Sequence, residues 1–432
     1  MARKFFIKTL GCKVNQYESQ TMRESLVRAG YAESSSDEDA DLYIVNTCTV
    51  TNQADSESRR IVRRFHRKNG KAEIVVVGCS IENEPDAEVF STLPGVSYLI
   101  KNSEKWRIAD ILDESAQGRY PAPSSAQEST ISDFKGRAKA FVKVQDGCSE
   151  RCSYCRVSLV RGPLKSKSLS AIRGEVKALS EKGFQEIVLT GICLGAWGLD
   201  IGENGGIVEI LKALDGVRAD HRIRLSSIEL KYITPGLIDL IASRKDICKH
   251  LHIPLQSGDD DILKKMKRSY TAEAFTRAVE RIRLKDPKIG ITTDCIVGFP
   301  GETEANFNNT VAVIKETLPV RVHIFPYSRR EGTPAAGFED VIDGNVVRAR
   351  LNRLRVAALG SSYIFRERFL NTRLKVLVET ARERDSGMLE GYSDNYIKIL
   401  FKGSDKLMGT VVPVIIEHLT LEKTIGQYQG IR

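Results

Sequence analysis

No run of apolar residues in this chain approaches the roughly 18 needed to cross a bilayer. Its opening, MARKFFIKTL, also lacks the apolar core and cleavage site of an export signal. The expectation is a cytoplasmic protein with no membrane partner. Disorder is excluded for most of the chain, because 41% of residues are hydrophobic and 28% charged, richer in apolar residues than a disordered chain. There is no internal repeat. Nor do the cysteines form an even set: nine of them, with no export signal, argue against a disulfide framework and for thiolate ligands or a catalytic thiol. Charge is not strongly one-sided either. The net of +9 suits a polyanionic partner without requiring one.

At 432 residues the chain exceeds one ordinary core, and a domain size of roughly 150 residues implies about three units. Over residues 1–114, apolar strand-like runs at 4–10, 41–46 and 73–77 alternate with helix-like segments at 15–29, 55–68 and 84–90. That alternation predicts an α/β unit, an open parallel sheet with flanking helices. Residues 115–133 are rich in Ser, Pro, Ala and Gln and read as a linker. From 134 to 366, six strand-like runs at 139–145, 186–190, 222–227, 250–255, 290–297 and 321–326 alternate with amphipathic helices, the pattern of an open partial (β/α)6 barrel. A helical segment over 345–370 packs across that barrel or leads out of it. Residues 367–432 carry short β runs separated by Gly, Asn and Asp, which predicts a small β-barrel.

The sharpest motif is GCSERCSYC, where Cys148, Cys152 and Cys155 form a CxxxCxxC just after the first strand of the central unit. Three thiolates hold three irons of a [4Fe-4S] cluster and leave the fourth open to substrate. A structural zinc would want a fourth protein ligand, and none is adjacent. Cys12, Cys48 and Cys79 each follow the end of a predicted amino-terminal strand. In an open α/β sheet such ends share one edge, so cysteines 36 and 31 residues apart can meet there. The bland alternative is three small buried side chains. Further loops at predicted strand ends, LTGICLGAWG, SSIEL, HIPLQSG and DCIVGFPGETE, place Gly, Ser, Gln or Glu where barrel active sites are built.

Arg59, Arg60, Arg63, Arg64, Arg67 and Lys68 share a helix whose apolar residues, Ile61, Val62 and Phe65, fall on the opposite side. With few acids interleaved, this predicts a purely cationic face that contacts an RNA backbone, the alternative being a solvated surface. KKMKR at 264–268 is a second candidate. Tyr392 and Tyr396 of the last unit are equally placed to stack on bases or to fill its core. Cys295 reads as packing.

The CxxxCxxC, with Tyr154 before its last cysteine, resembles the radical S-adenosylmethionine superfamily. TLGCKVNQYES, NTCTVTNQADSESR and VVVGCS extend the resemblance to the methylthiotransferases over essentially the whole chain. The resemblance implies that Cys148, Cys152 and Cys155 hold the cluster that binds and reductively cleaves S-adenosylmethionine. It implies a second [4Fe-4S] cluster on Cys12, Cys48 and Cys79, whose spare iron carries the sulfur to be donated. Tyr154, Gly191, Glu229, Gln256 and Gly298 would lie near S-adenosylmethionine. One molecule of that cofactor would methylate the sulfur, and another would supply the radical that takes hydrogen from C2 of an adenine. The last unit resembles the TRAM domain that grips a tRNA anticodon stem-loop. An electron donor of the flavodoxin or ferredoxin type is implied, along with a sulfur donor of unstated identity. At Cys193, relatives tend to have His.

Within the family, KTLGCKVNQYES and NTCTVTNQAD look most like the branch that converts N6-threonylcarbamoyladenosine beside the anticodon, at position 37, to its 2-methylthio derivative. Two sister branches act on isopentenyladenosine in tRNA and on an aspartate of a ribosomal protein. The last has no need of a basic helix. A rival from another class is a non-enzymatic iron-sulfur RNA-binding sensor, which would not require the glycine-bearing loops.

Overall fold

The computed structural model describes residues 2–116, 129–217 and 221–430. Its amino-terminal unit runs β1 (Lys4–Thr9), α1 (Lys13–Arg28), β2 (Ala32–Glu33), β3 (Leu42–Thr47), α2 (Asn52–Lys68), β4 (Glu73–Gly78), α3 (Glu84–Ser91), β5 (Val96–Ile100) and α4 (Ile108–Ala116). The strands form one parallel sheet in the order β2-β1-β3-β4-β5. Helices cover both faces, so β3 and β4 read as continuous apolar runs rather than alternating ones. Phe5, Leu42, Ile44, Val75 and Val77 pack with Met22, Leu26, Ile108 and Leu112 on one side. Tyr43, Val45, Ile74 and Val76 pack with Ile61, Val62, Phe65 and Phe90 on the other. The three expected strands are all present. β2 is only two residues long, and β5 follows a glycine turn with a half-exposed pattern, so neither carried a strong periodic signal.

Of the linker expected at 115–133, residues 117–128 lie outside the described residues. Its end is pinned: the Tyr17 hydroxyl donates to the Ser129 carbonyl at 2.7 Å, and the Ser132 N–H donates to the Glu24 carboxylate at 3.0 Å.

The central unit follows as β6 (Ala140–Asp146), α5 (Val157–Arg161), β7 (Lys165–Ser166), α6 (Leu169–Glu181), β8 (Glu186–Gly191), α7 (Gly206–Ala213), β9 (Arg222–Leu225), α8 (Pro235–Ser243), β10 (His250–His252), α9 (Asp260–Lys265), α10 (Ala272–Lys285), β11 (Gly290–Val297), α11 (Glu304–Thr317), β12 (Arg321–Pro326) and α12 (Gly344–Glu367). β6-β8-β9 and β10-β11-β12 are parallel, and isolated parallel bridges from Ile223 to Ile247 and from Ser227 to His252 join them into the expected open six-stranded barrel. The short β7 pairs antiparallel at the β6 edge. Residues alternate along each strand. Val142, Val144, Ile187, Leu189, Ile223, Leu225, Leu251 and Ile291 face the helices in one large core. The intervening positions are polar: Lys143, Gln145, Glu186, Arg222, Arg224, His250, His252, Thr292 and Asp294 line the inside. α12 packs on β12 and α11. Among the described residues, no helix is long and apolar enough to cross a membrane.

β13 (Arg373–Arg382), β14 (Leu389–Ser393), β15 (Lys398–Phe401), β16 (Val411–Leu419) and β17 (Thr424–Tyr428) close into a five-stranded barrel around Val376, Ile399, Phe401 and Val414. This barrel seals the strand-start end of the central unit. Arg222 donates to the Lys375 and Tyr392 carbonyls at 3.0 and 2.9 Å, and Arg224 to the Asp394 and Ser393 carbonyls at 3.0 and 2.9 Å. Both guanidiniums are held by the buried Glu186 carboxylate at 2.7 and 2.8 Å. Tyr396 stacks on His250 with ring centroids 4.3 Å apart, and the Lys139 ammonium sits 5.1 Å from the Tyr392 ring. Both tyrosines therefore make contacts at the junction of the two units, half-buried and lining a cleft there.

Candidate active site at the strand ends

Because β1, β3 and β4 are adjacent and parallel, the chain leaves all three at one edge. Cys12 follows β1 by three residues, and Cys48 and Cys79 directly follow β3 and β4. Gly11 has φ +88°, and a Cβ there would lie 2.7 Å from Cys48 Sγ, so the Cys12 loop passes directly against Cys48. Burial raises the Cys48 thiol to about 11, and the nearby Cys79 and Cys12 add to the rise. The Asn102 side-chain amide reaches Cys79 Sγ at 3.7 Å and the Val160 carbonyl at 3.1 Å, linking this edge to the central unit.

The second trio sits on the loop after β6. Gly147, at φ +71°, lies so close to the Pro163 carbonyl that a Cβ would come within 1.8 Å of its oxygen. The Cys148 N–H donates to the Gly162 carbonyl at 3.1 Å, and the Ser153 N–H and hydroxyl donate to the Met266 and Lys265 carbonyls at 3.0 and 2.7 Å. Tyr154 packs against the apolar cluster of Ile262, Met266, Phe299 and Ala335, which anchors the loop. The Arg268 guanidinium donates to Cys152 Sγ at 3.2 Å and pairs with Glu229. Burial lifts the Cys155 thiol to about 12, whereas a hydrogen bond from Cys193 lowers that of Cys148. Cys193 is thus packed beside the trio, its N–H held by the Gln145 side chain at 2.7 Å.

All nine cysteines are free thiols. Three thiolates at each edge fit a cluster in which each cysteine holds its own iron.

The remaining expected cofactor residues all lie at strand ends. A Cβ on Gly191 would meet the Gln145 side chain at 3.0 Å. Gln256 adopts φ 65° and its N–H donates to the Asp294 carbonyl at 2.8 Å. Gly298 has φ +76° and faces Val347, and its N–H donates to the buried Glu302 at 2.9 Å.

The two trios face each other across a buried polar seam. Arg161, on α5 just after the CxxxCxxC loop, pairs with Glu18 of α1 at 2.5 Å. Its charge reaches both Cys79 and Cys12. Lys105 and Lys143 also contact Glu18, at 2.7 and 3.0 Å. Burial alone would raise the Glu18 carboxyl, but these three cations outweigh it and hold the group well below its ordinary value. Arg330 binds Asp55 and donates to Thr49 Oγ1 at 2.7 Å, and Ser80 Oγ donates to Asp55 at 2.9 Å. Beside this seam opens a cleft of about 530 Å3 lined by Asn52, Ser56, Arg59, Asp86, Arg156 and Arg329. A larger cavity of about 1200 Å3 lies at the opposite end, between the strand starts and the terminal barrel, away from every cluster cysteine.

Two expectations need correction. The α2 face is not purely cationic: Arg64 and Lys68 pair with Asp37 at 3.2 and 2.6 Å, and Arg60 pairs with Glu57. Asp37 comes from a separate loop, which no inspection of the helix alone reveals. Arg63 and Arg67 stay exposed, with no ion pair among the described residues. In KKMKR, Arg268 points inward to Cys152 and is not displayed to RNA. Glu18 and Arg161 were missed as site residues because a lone charge in sequence reads as solvated, their only signal being their place a few residues past Cys12 and Cys155. Arg268 and Arg330 sit in charged runs that read as surface and lie far in sequence from the cysteine motifs.

Residues 4–100 match the family described as uncharacterized protein family UPF0004, and residues 142–314 match the radical SAM superfamily. The threonylcarbamoyladenosine tRNA methylthiotransferase MtaB of Bacillus subtilis is 36% identical, over 97% of this chain and 95% of its own length. Its namesake from Thermotoga maritima is 38% identical over 92% and 91%. The tRNA-2-methylthio-N(6)-dimethylallyladenosine synthase of Desulfitobacterium hafniense is 31% identical over 100% and 98%. Among solved structures, the radical S-adenosylmethionine methyltransferase TsrM from Kitasatospora setae aligns with a TM-score of 0.57 at 16% identity. It covers 78% of this chain and 77% of that one, a likeness of fold alone.

Proposed function

The chain belongs to the radical S-adenosylmethionine methylthiotransferase family, and from that premise we propose that it attaches a methylthio group to C2 of N6-threonylcarbamoyladenosine, at position 37 beside the anticodon of tRNA. The observation that carries this reading is the pair of cysteine trios at two facing strand-end edges, joined through Arg161 and Asn102. Its cofactors are two [4Fe-4S] clusters and S-adenosylmethionine. Cys12, Cys48 and Cys79 would hold one cluster, and Cys148, Cys152 and Cys155 the other. Bound there, these groups supply the radical and the sulfur that an adenine C2–H demands, since that bond has no useful acidity near neutral pH.

The protein's own residues position and shield. Arg268 fixes Glu229 beside Cys152, where an amino or carboxylate group of the cofactor would be received. α1 lies against β6 and β8 and carries Glu18 into the open side of the barrel, which limits water there. Exposed Arg63 and Arg67 and the cleft-lining Arg59 would meet the phosphates of the anticodon stem-loop. A flavodoxin- or ferredoxin-type protein would deliver the electron.

Mass spectrometry of tRNA nucleosides from cells with and without the gene tests the reading. The 2-methylthio derivative of threonylcarbamoyladenosine should vanish on deletion. Loss of the isopentenyladenosine derivative instead would assign the chain to the sister branch.

A further inference from the structure

Inside the barrel lies a polar group that neither trio uses. His252 ends β10, and Asp294 and His323 are cross-strand partners on β11 and β12. His252 Nε2 lies 3.1 Å from Asp294 Oδ2, and His252 Nδ1 lies 2.8 Å from Thr292 Oγ1. The His323 ring meets the His252 ring edge to face, with centroids 5.7 Å apart. The His252 and Asp294 side chains are 15% and 26% exposed, so the group is largely desolvated yet open to the barrel interior. Lys13, the first residue of α1, is exposed. Burial is the largest influence on Asp294 and His323; the His252 hydrogen bond holds the Asp294 carboxyl down, the Arg321 charge lowers the His323 imidazole, and the Lys13 charge adds to both.

Two histidines and a carboxylate so close together could hold a metal ion. The surroundings oppose that. Lys13 and Arg321 bring two positive charges toward the group, and both ring nitrogens of His252 are already partnered. A cation beside hydrogen-bonding groups suits an anionic, polar ligand instead. On adenine, N6 is separated from C2 only by C6 and N1, so a base whose C2 faces the cysteine edge sends its N6 substituent toward neighbouring walls. The threonylcarbamoyl substituent carries a carboxylate, a hydroxyl and urea N–H groups.

We infer that Lys13, His252, Asp294 and His323 form the subsite for the threonylcarbamoyl substituent, with the Lys13 ammonium taking its carboxylate, and with His323 and Asp294, the latter oriented by His252, taking its hydroxyl and urea N–H. The inference rests on the substrate reading above and supplies its selectivity. An isopentenyl group in the same place would give the Lys13 ammonium, the His323 ring and the second Asp294 oxygen no partner, and a site built for hydrogen bonds rejects such an analogue strongly. Burial, followed by the Arg321 charge, pushes the His323 imidazole down to about 4, so at neutral pH it is uncharged and presents one N–H and one lone pair.

The test uses enzyme with both clusters reconstituted and two tRNA anticodon stem-loops, one bearing threonylcarbamoyladenosine and one bearing isopentenyladenosine. His323→Phe and Asp294→Asn should raise KM for the first about ten-fold, with a smaller change in kcat, and erode selectivity over the second. His323→Gln, which keeps a donor, should restore most of the loss. Lys13→Gln, on the surface, should raise the same KM. Unchanged KM and selectivity in His323→Phe, Asp294→Asn and Lys13→Gln, each with full iron content, would overturn the subsite while leaving the substrate reading intact. One equivalent of zinc in the wild-type enzyme that is missing from His323→Phe would overturn it in favour of a cation site. Wild-type turnover of the isopentenyl substrate alone would overturn the substrate reading, and the subsite with it.

Discussion

Cys148, Cys152 and Cys155 fall within eight residues of one loop, whereas Cys12, Cys48 and Cys79 come from three strand ends spaced 36 and 31 residues apart. The first trio is gathered by its spacing and the Gly147 turn, and its loop is then tied to distant segments by the Ser153 hydrogen bonds to Lys265 and Met266 and by the packing of Tyr154 on Ile262, Met266, Phe299 and Ala335. The second exists only because β1, β3 and β4 are parallel neighbours in a fixed register. A loop-borne set has its cysteines adjacent before folding and needs the packed chain to hold the loop, while a sheet-borne set needs the packed sheet to bring its cysteines together at all. Two sites of the same composition therefore differ in what assembles them.

The largest expected effect separates the two trios outright. Replacing Cys12, Cys48 and Cys79 together by Ala should abolish methylthiolation and lower iron from about eight to about four per chain, with S-adenosylmethionine still cleaved. Loss of cleavage in that variant would show that the trios are not independent. Next comes the joint between them. Glu18→Gln would take from Lys105 its carboxylate partner and leave Arg161 and Lys143 with Asp146 alone, and breaking such a buried set costs about 3–5 kcal/mol by denaturant unfolding. Because the folded Glu18 carboxyl titrates below its ordinary value, its contribution is present above the ordinary carboxylate range and is lost as pH falls through the depressed value. A wild-type-like midpoint for Glu18→Gln would make that seam incidental. The smallest effect concerns the amino-terminal unit's outer face. Arg63→Glu with Arg67→Glu should weaken tRNA binding several-fold and flatten its salt dependence. Unchanged affinity at low salt would return α2 to plain solvation.

Much of this was legible in sequence. The six central strands, the parallel amino-terminal sheet and the terminal β-barrel followed from periodicity and turn residues; one trio was picked out by its CxxxCxxC spacing, and the other by its placement after three strands together with the family resemblance. What escaped was the set of partners. Asp37 neutralises part of α2 from another loop, Arg268 turns inward from a run that reads as a surface patch, and Tyr396 stacks on His250 across a domain boundary. None of these pairings has a local signature, because each joins residues brought close only by packing.

By itself, the sequence determined which side chains are chemically able to hold clusters and which short segments become strands, since spacing, turn residues and apolar period act over a few residues. Only the tertiary structure decided that three distant strand ends share one edge, that α1 packs on the barrel, and that His252, Asp294 and His323 gather inside it. Those outcomes depend on burying apolar faces against one another, a property of the whole packed chain.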